Sequence, residues 1–521
     1  MSPLDMLHFG AFTVGLILIA KLLKKRNENK TRALPLPPGP SPLPIVGNAL
    51  NIRTAEPWVT YTEWSARYGD IYTIRFLNQD IIIISSEKIA RTLLERRSSV
   101  YSDRPYLATR EPYGWAFHFA WTPYGDKWRS QRRMFHQVFR PDAIVPFRPM
   151  QLQKAHLLAS GGYATGTIMS MVYDYEIEPD RDHMVELFDH GISLGMEALT
   201  PESAAVVNTF PFVLSLPVWV PGIEISRKAT ESVECVTQML SRPFEYARLR
   251  EAEGTASPSM VSDTLRNFKR KDDPNLLQLL KETCGAETVS ISIAIFPTSL
   301  SVLQSATVLH CLLLAMVQNP RVQKRAQAEI DEIIGMDRLP TFEDRPSLPY
   351  VEAVMRETFR LYPVTPLGLP HATISDDIFD GYFIPKGCTI VANIWYVLET
   401  ILFCRAMLRN ESVYPDANSF KPERHFVDGK LNDDSVISSI GFGFGRRNCP
   451  GRHSADVSLW AAIVTILATL VVSKAVDERG NEIEVNPRFT YGVTSRPGPF
   501  TCAIKPRRPG LDIVKLAQHS A

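Results

Sequence analysis

The chain has 521 residues, 45% of them hydrophobic, and its 57 Lys and Arg against 56 Asp and Glu leave a net charge of +1. That balance gives no basic footprint for nucleic acid, and the apolar content excludes disorder and is enough for a large core. The seven cysteines, at 235, 284, 311, 388, 404, 449 and 502, are odd in number and lack CxxC spacing, which argues against a disulfide framework and for a reducing compartment.

In chain order, the first element is the apolar run 6–23, broken mainly by His8, Thr13 and Lys21. As a helix it would extend roughly 27 Å, close to the ~30 Å hydrocarbon core of a bilayer. Asp5 precedes it and Lys24, Lys25 and Arg26 follow, so the positive-inside rule puts the bulk of the protein in the cytosol. Basic residues after the run, rather than before it, disfavour a cleavable signal peptide. The sequons at Asn29 and Asn410 would then stay unmodified. Residues 34–48, LPLPPGPSPLPIVGN, read as a stiff extended linker.

Residues 125–139 form an amphipathic helical pattern carrying Trp128, Arg132 and Arg133, whose indole N–H and guanidinium groups suit carboxylates. Residues 275–288 are expected to be helical and end in Gly285-Ala286-Glu287-Thr288. The next stretch, 289–304, alternates apolar and polar residues (VSISIAI) and holds Pro297, which favours a strand over a helix. Residues 351–361 are helical in spacing and stop before Pro363. Glu357 and Arg360 share one face there, a pair that on a surface would contribute little. Phe420-Lys421-Pro422-Glu423-Arg424 follows further on.

The most informative run is Phe442-Gly443-Phe444-Gly445-Arg446-Arg447-Asn448-Cys449-Pro450-Gly451. A thiolate is a strong, soft donor to iron, and one without Cys or His co-ligands suits a haem, whose equatorial donors come from the porphyrin. Glycines let the backbone approach the macrocycle and leave N–H groups free to hydrogen-bond the sulfur. Arg447 is placed to meet a haem propionate. The competing reading is a buried structural cysteine. The run resembles the haem-binding loop of the cytochrome P450 family, and the other motifs resemble that family's parts in the same order.

The resemblance implies a mainly α fold with small β-sheets. One large haem domain (49–521) would stand behind a short lumenal start (1–5), a transmembrane anchor (6–23) and a linker (24–48). It implies heme b, with Cys449 as axial iron ligand and Phe442, Arg447, Trp128, Arg132 and His371 around the cofactor. Glu357, Arg360 and Arg424 would form a structural triad. Glu287 would supply protons for oxygen activation, and Thr288 would hold the oxygen and water network. Electrons would come from NADPH through a separate NADPH-cytochrome P450 reductase docking near the cysteine side, since no GxGxxG opens a βαβ unit in this chain. The implied location is the endoplasmic reticulum membrane, with lipid as a neighbour and the catalytic domain cytosolic. The wording at 365–371 is most similar to fungal microsomal members, many of which act in secondary metabolism or on xenobiotics. Pocket walls from 101–121, 209–213, the helix near Glu287, 364–369 and 493–500 suit a hydrophobic small molecule such as a terpenoid, polyketide or aromatic xenobiotic.

Two segments depart from the family pattern. Without 289–304 and 396–405 (YVLETILFCR), the chain reads GAET-SATVLHCLLLAMVQNP and NIW-AMLRNESVYPD, both family-like. The two have the character of translated introns or gene-model errors. The chain is also short by a helix around Ser160 and Gly161, and abbreviated just before Gly285. These departures leave two rival expectations: a haem-binding relative without turnover, and a membrane protein that never loads haem.

Overall fold

The Ile-rich runs Ile71–Phe76 (β1) and Gln79–Ile84 (β2) are rich in β-branched residues, which fit a half-buried pleated surface, and they pair antiparallel. The structure is a computed structural model. It describes residues 34–516 except 54–55, 78, 160–166, 179–181, 200–203, 205–206, 216–224, 268–272, 292–303, 396–406, 410, 412, 433–439, 491–493, 512 and 514–515. Strand β3 is His371–Ala372, and Asp377–Phe379 (β4) forms a small hairpin with Tyr382–Ile384 (β5). Thr389–Ala392 (β6) lies parallel to β2 and antiparallel to β3, giving the mixed order β1-β2-β6-β3. His371 is thus fixed opposite Ile390 at one edge of the sheet.

Helices make up the rest of the core. On one side α1 (Pro57–Tyr68) backs the sheet. Asp126–Phe139 (α2), Arg148–Ala159 (α3), Thr167–Tyr173 (α4), His183–Ala198 (α5), Ile225–Ala252 (α6), Met260–Asn267 (α7) and Pro274–Ile291 (α8) follow. Trp115, Phe117, Trp128, Phe135, Tyr173, Met239 and Phe244 fill the space among most of them. A second core holds Gln304–Gln318 (α9), Pro320–Ile333 (α10), Pro349–Leu361 (α11) and Arg452–Thr469 (α12) around Leu312, Met316, Val354, Met355, Trp460 and Ile463. Helix α12 is apolar nearly all round because it is buried nearly all round. The mainly helical reading with small sheets holds.

Two expectations meet the structure differently. Val289 to Ile291 continue α8 rather than starting a strand, and Gln304 opens α9, so both described ends of the 289–304 segment are helical. A helix already nucleated adds residues cheaply, and this outweighs a short period-two pattern. The middle of that segment, the segment 396–405, the gap after Ala159 and the anchor 6–23 lie outside the described residues. Among the described residues, no helix is long and apolar enough to cross a membrane.

Helix α5 shows how tightly the first core is closed. A Cβ on Gly195 would stand 2.0 Å from Cζ2 of Trp115. That indole is held in place by Nε1 donating to Ser232 Oγ at 3.1 Å, while Ser232 Oγ donates to the Tyr113 carbonyl at 2.8 Å. Alanine is the better helix former by roughly 1 kcal/mol, but overpacking a closed core costs about 1–3 kcal/mol. Gly195→Ala should therefore lower the thermal midpoint; a raised midpoint would show that Trp115 can move aside.

Candidate active site

The carboxylate of Glu357, on α11, gathers one side of the site. Arg360 donates to it twice, from Nε to Oε2 and from Nη2 to Oε1, each at 2.8 Å. Arg424 Nε and the Lys421 backbone N–H reach Oε1 at 3.0 and 2.9 Å, and the His425 ring stands 3.1 Å from Oε2. The carboxylate is wholly buried. Burial alone would push its carboxyl up, but Arg360 and His425 hold it down at about 2. The two arginines also tie distant chain to this point, through Arg360 to the Leu408 carbonyl and Arg424 to those of Pro415 and Asp416. The expected triad is assembled. His425 is a fourth member that no motif singled out.

From α11 the packing leads to the cysteine. The Phe359 ring lies 5.5 Å from that of Phe442, whose carbonyl accepts the Cys449 N–H at 2.8 Å. Gly445 passes so close to the Leu94 carbonyl that a Cβ would sit 2.1 Å from its oxygen, and its φ is +53°, so only glycine fits. The loop runs straight into α12, with Gly451 capping its start. Cys449 is half-buried, so its side chain keeps accessible surface. Burial and then the Glu287 charge push its thiol up to about 12, opposed by the Gly451 N–H, Arg132 and Arg452. A bound cation is what would release that proton.

The groups expected to hold an anionic cofactor converge here. Arg447 Nε and Nη2 donate to the carbonyls of Ser102 and Thr122 at 2.7 and 2.9 Å, and its guanidinium lies 4.5 Å from the Trp128 ring centroid. Arg447 Nη1 and Trp128 Nε1 are both buried donors with no partner among the described residues. Orphaned donors of this kind are costly, and two beside a cationic group fit the carboxylates of a haem. Burial lowers Arg447 to about 9, so a nearby anion would relieve a real strain. Arg132 clamps the loop itself, donating to the carbonyl and side chain of Asn448. His371 donates from Nδ1 to the Tyr101 carbonyl at 2.7 Å, and burial followed by the Arg104 charge depresses it to about 3. It can offer Nε2–H to a carboxylate only by taking a second proton.

Arg104 is the participant that sequence reasoning missed. It is buried, donates to the carbonyls of Ala120, Leu369 and Pro370, and lies close enough to Arg447 for their charges to repel. No signal set it apart, since Asp103, Arg110 and Glu111 are charged residues of the same stretch 101–121. Near Cys449, Glu287 is buried with Oε1 unpartnered among the described residues, and its carboxyl is pushed up to about 8 by burial, against the pull of Arg132. Thr288 turns elsewhere. Its hydroxyl donates to the Cys284 carbonyl at 2.9 Å, and the Tyr173 hydroxyl stands beside it. The structure brings Glu287, Arg132 and Cys449 within electrostatic reach of one another and sets Thr288 on the α4 side.

Comparison with known proteins agrees with this geometry. The cytochrome P450 family model matches residues 37–160 and 162–501, breaking where the chain reads as abbreviated. Cytochrome P450 monooxygenase claR of Ampulloclitocybe clavipes is 35% identical over 95% of this chain and 89% of its own length. Cytochrome P450 monooxygenase ple1 of Rhodocybe pseudopiperita is 36% identical over 92% and 91%, and COX2 of Coprinopsis cinerea 33% over 97% and 94%.

The Glu357 cluster sets an acid limit. Its carboxyl lies below the ordinary 4.5, so it stabilises the fold fully above about 4.5 and loses that contribution as pH falls toward about 2. The shift corresponds to about 3 kcal/mol. Glu357→Gln should destabilise the protein by about 3–5 kcal/mol at neutral pH, because it leaves buried arginine charge unpaired. The gap to the wild type, read from denaturation midpoints, should narrow as pH falls below about 4.5; a gap constant down to about pH 2 would remove the carboxylate from this role.

Proposed function

Since the chain belongs to the cytochrome P450 family and is a monooxygenase of that family, we propose that it inserts one oxygen atom from O2 into a hydrophobic small molecule. The observation that carries this reading is the pair of orphaned donors on Trp128 and Arg447 beside Cys449. Bound haem would supply the redox chemistry, with the anionic sulfur pushing electron density toward iron and favouring O–O cleavage. Cys449 would be the axial ligand. Arg447, Trp128, Arg132, Arg104 and His371 would surround the carboxylates, and Phe442 would close the loop behind the sulfur.

Glu287 would keep its proton on Oε at neutral pH, as a carboxyl pushed up to about 8 does, and so can donate it. The Thr288 hydroxyl donates to the Cys284 carbonyl beside Tyr173, so the oxygen and water network expected at Thr288 would need that side chain to turn from where it lies. Gly285 packs so closely on Leu240 that a Cβ would stand 2.2 Å from it, which seats α8 against α6. The apolar segments expected to line the pocket favour a substrate with few polar anchors. Terpenoids, polyketides and aromatic xenobiotics meet that description, and fungal secondary metabolism or xenobiotic oxidation is the proposed setting.

Electrons would come from NADPH through a separate reductase. Arg133 and Arg446 are exposed near the cysteine loop, with Lys127 and Arg129 beside them paired to Glu282 and Asp126, and this face would suit an acidic partner. The apolar run 6–23 supports anchorage in the endoplasmic reticulum membrane with this domain in the cytosol. The reduced, carbon-monoxide-bound protein should show the strongly red-shifted Soret band of a thiolate-ligated haem, and Cys449→Ser should abolish that band. Persistence of the band in the serine variant would take the ligand role away from Cys449.

A further inference from the structure

A chain of charged groups links the Glu357 cluster to the helix that follows the cysteine. Arg345 sits in the turn Phe342–Ser347, which is itself fixed: Asp344 accepts from the Thr341 N–H at 2.8 Å, from Thr341 Oγ1 at 3.1 Å and from both Nη atoms of Arg338. Arg345 donates Nη1 to Asp456 Oδ2 at 2.7 Å and Nη2 to Oδ1 at 2.9 Å, a two-pronged grip on α12. Its Nε donates to Glu352 Oε2 at 3.0 Å, and the other oxygen of Glu352 accepts from Arg356 at 3.4 Å. Arg356 reaches the carbonyl and side chain of Asn432 at 2.9 Å, and the Asn432 N–H donates to the carbonyl of His425, the Glu357 partner.

Asp456 lies one turn beyond Arg452, whose Nη1 donates to the Cys449 carbonyl at 3.2 Å. The side chain of Asp456 is nine-tenths buried and that of Arg345 nearly four-fifths. Helices α11 and α12 are already joined by apolar packing, so burying charge there is a cost unless direction matters. A bidentate guanidinium–carboxylate pair fixes orientation as well as distance. We propose that Arg345 and Asp456 are positioning residues for Cys449. They clamp the first turns of α12 to the Glu357 cluster and so hold the sulfur in place to meet the iron. The inference rests on the reading of Cys449 as the iron ligand.

The test compares Arg345→Lys and Asp456→Asn with Arg507→Lys in the full chain. Arg507 makes a similar two-pronged pair with Asp331, on α10, and serves as the control for lost stability. In the haem-loaded, reduced, carbon-monoxide-bound protein, the first two variants should move absorbance from the red-shifted thiolate band to the unshifted neutral-thiol band. Arg507→Lys should leave the proportion as in the wild type even if its midpoint falls equally. In the haem-free chain, backbone amides between 449 and 456 should exchange about tenfold faster in the first two variants only. Wild-type band proportions and exchange in Asp456→Asn, or an equal effect of Arg507→Lys, would overturn the proposal. Faster exchange with no thiolate band in any variant or the wild type would support the clamp and overturn the haem reading.

Discussion

Everything near the site depends on one buried carboxylate. Glu357 gathers Arg360, its neighbour on α11, with Arg424, His425 and the Lys421 N–H, and the last three belong to chain that must be brought in from elsewhere. An isolated pair at i,i+3 contributes a few tenths of a kcal/mol. Here the carboxylate is fully buried and saturated, so removing it strands charge, and the cost rises to several kcal/mol. Packing of Phe359 on Phe442 then passes that fixed point on to the loop, where the Phe442 carbonyl receives the Cys449 N–H.

Around Cys449, unfavourable burial on one face is set against unfavourable burial on another. The Cys449 thiol and the Glu287 carboxyl are both driven toward their neutral forms, while Arg104 and Arg447 are cations in the same low-dielectric interior. None of these groups is at ease alone. A cofactor that brings a metal cation to the sulfur and carboxylates to the arginines would relieve both faces at once, which is the strongest physical argument that these residues serve a haem. The aromatic packing of Phe119 and Tyr124 on Trp128 keeps the indole from turning away to find another partner.

Much of this was legible because it is local. The cysteine run, the helix 125–139 and the spacing of Glu357 and Arg360 carry their meaning within a few residues, and the structure places all three as read. Arg104, His425 and the Arg345–Asp456 pair were not legible, since their partners lie far along the chain and nothing beside them marks burial. The direction of Thr288 could not be read either: rotation about a helix axis is set by what packs on it, here Tyr173 of α4. Val289 to Ile291 alternate like a strand but inherit the helix they extend.

The segments 289–304 and 396–405 break the family-like pattern, but the Glu357 cluster and the cysteine loop are assembled from residues outside both. The account therefore holds that the haem site assembles in the chain as it stands. The most direct measurement is the reduced, carbon-monoxide-bound spectrum of two proteins, the chain as it stands and a version lacking those two segments. The account predicts the red-shifted thiolate band in both. A band in the shortened protein alone would contradict it, because site assembly would then depend on a continuous α8–α9 helix.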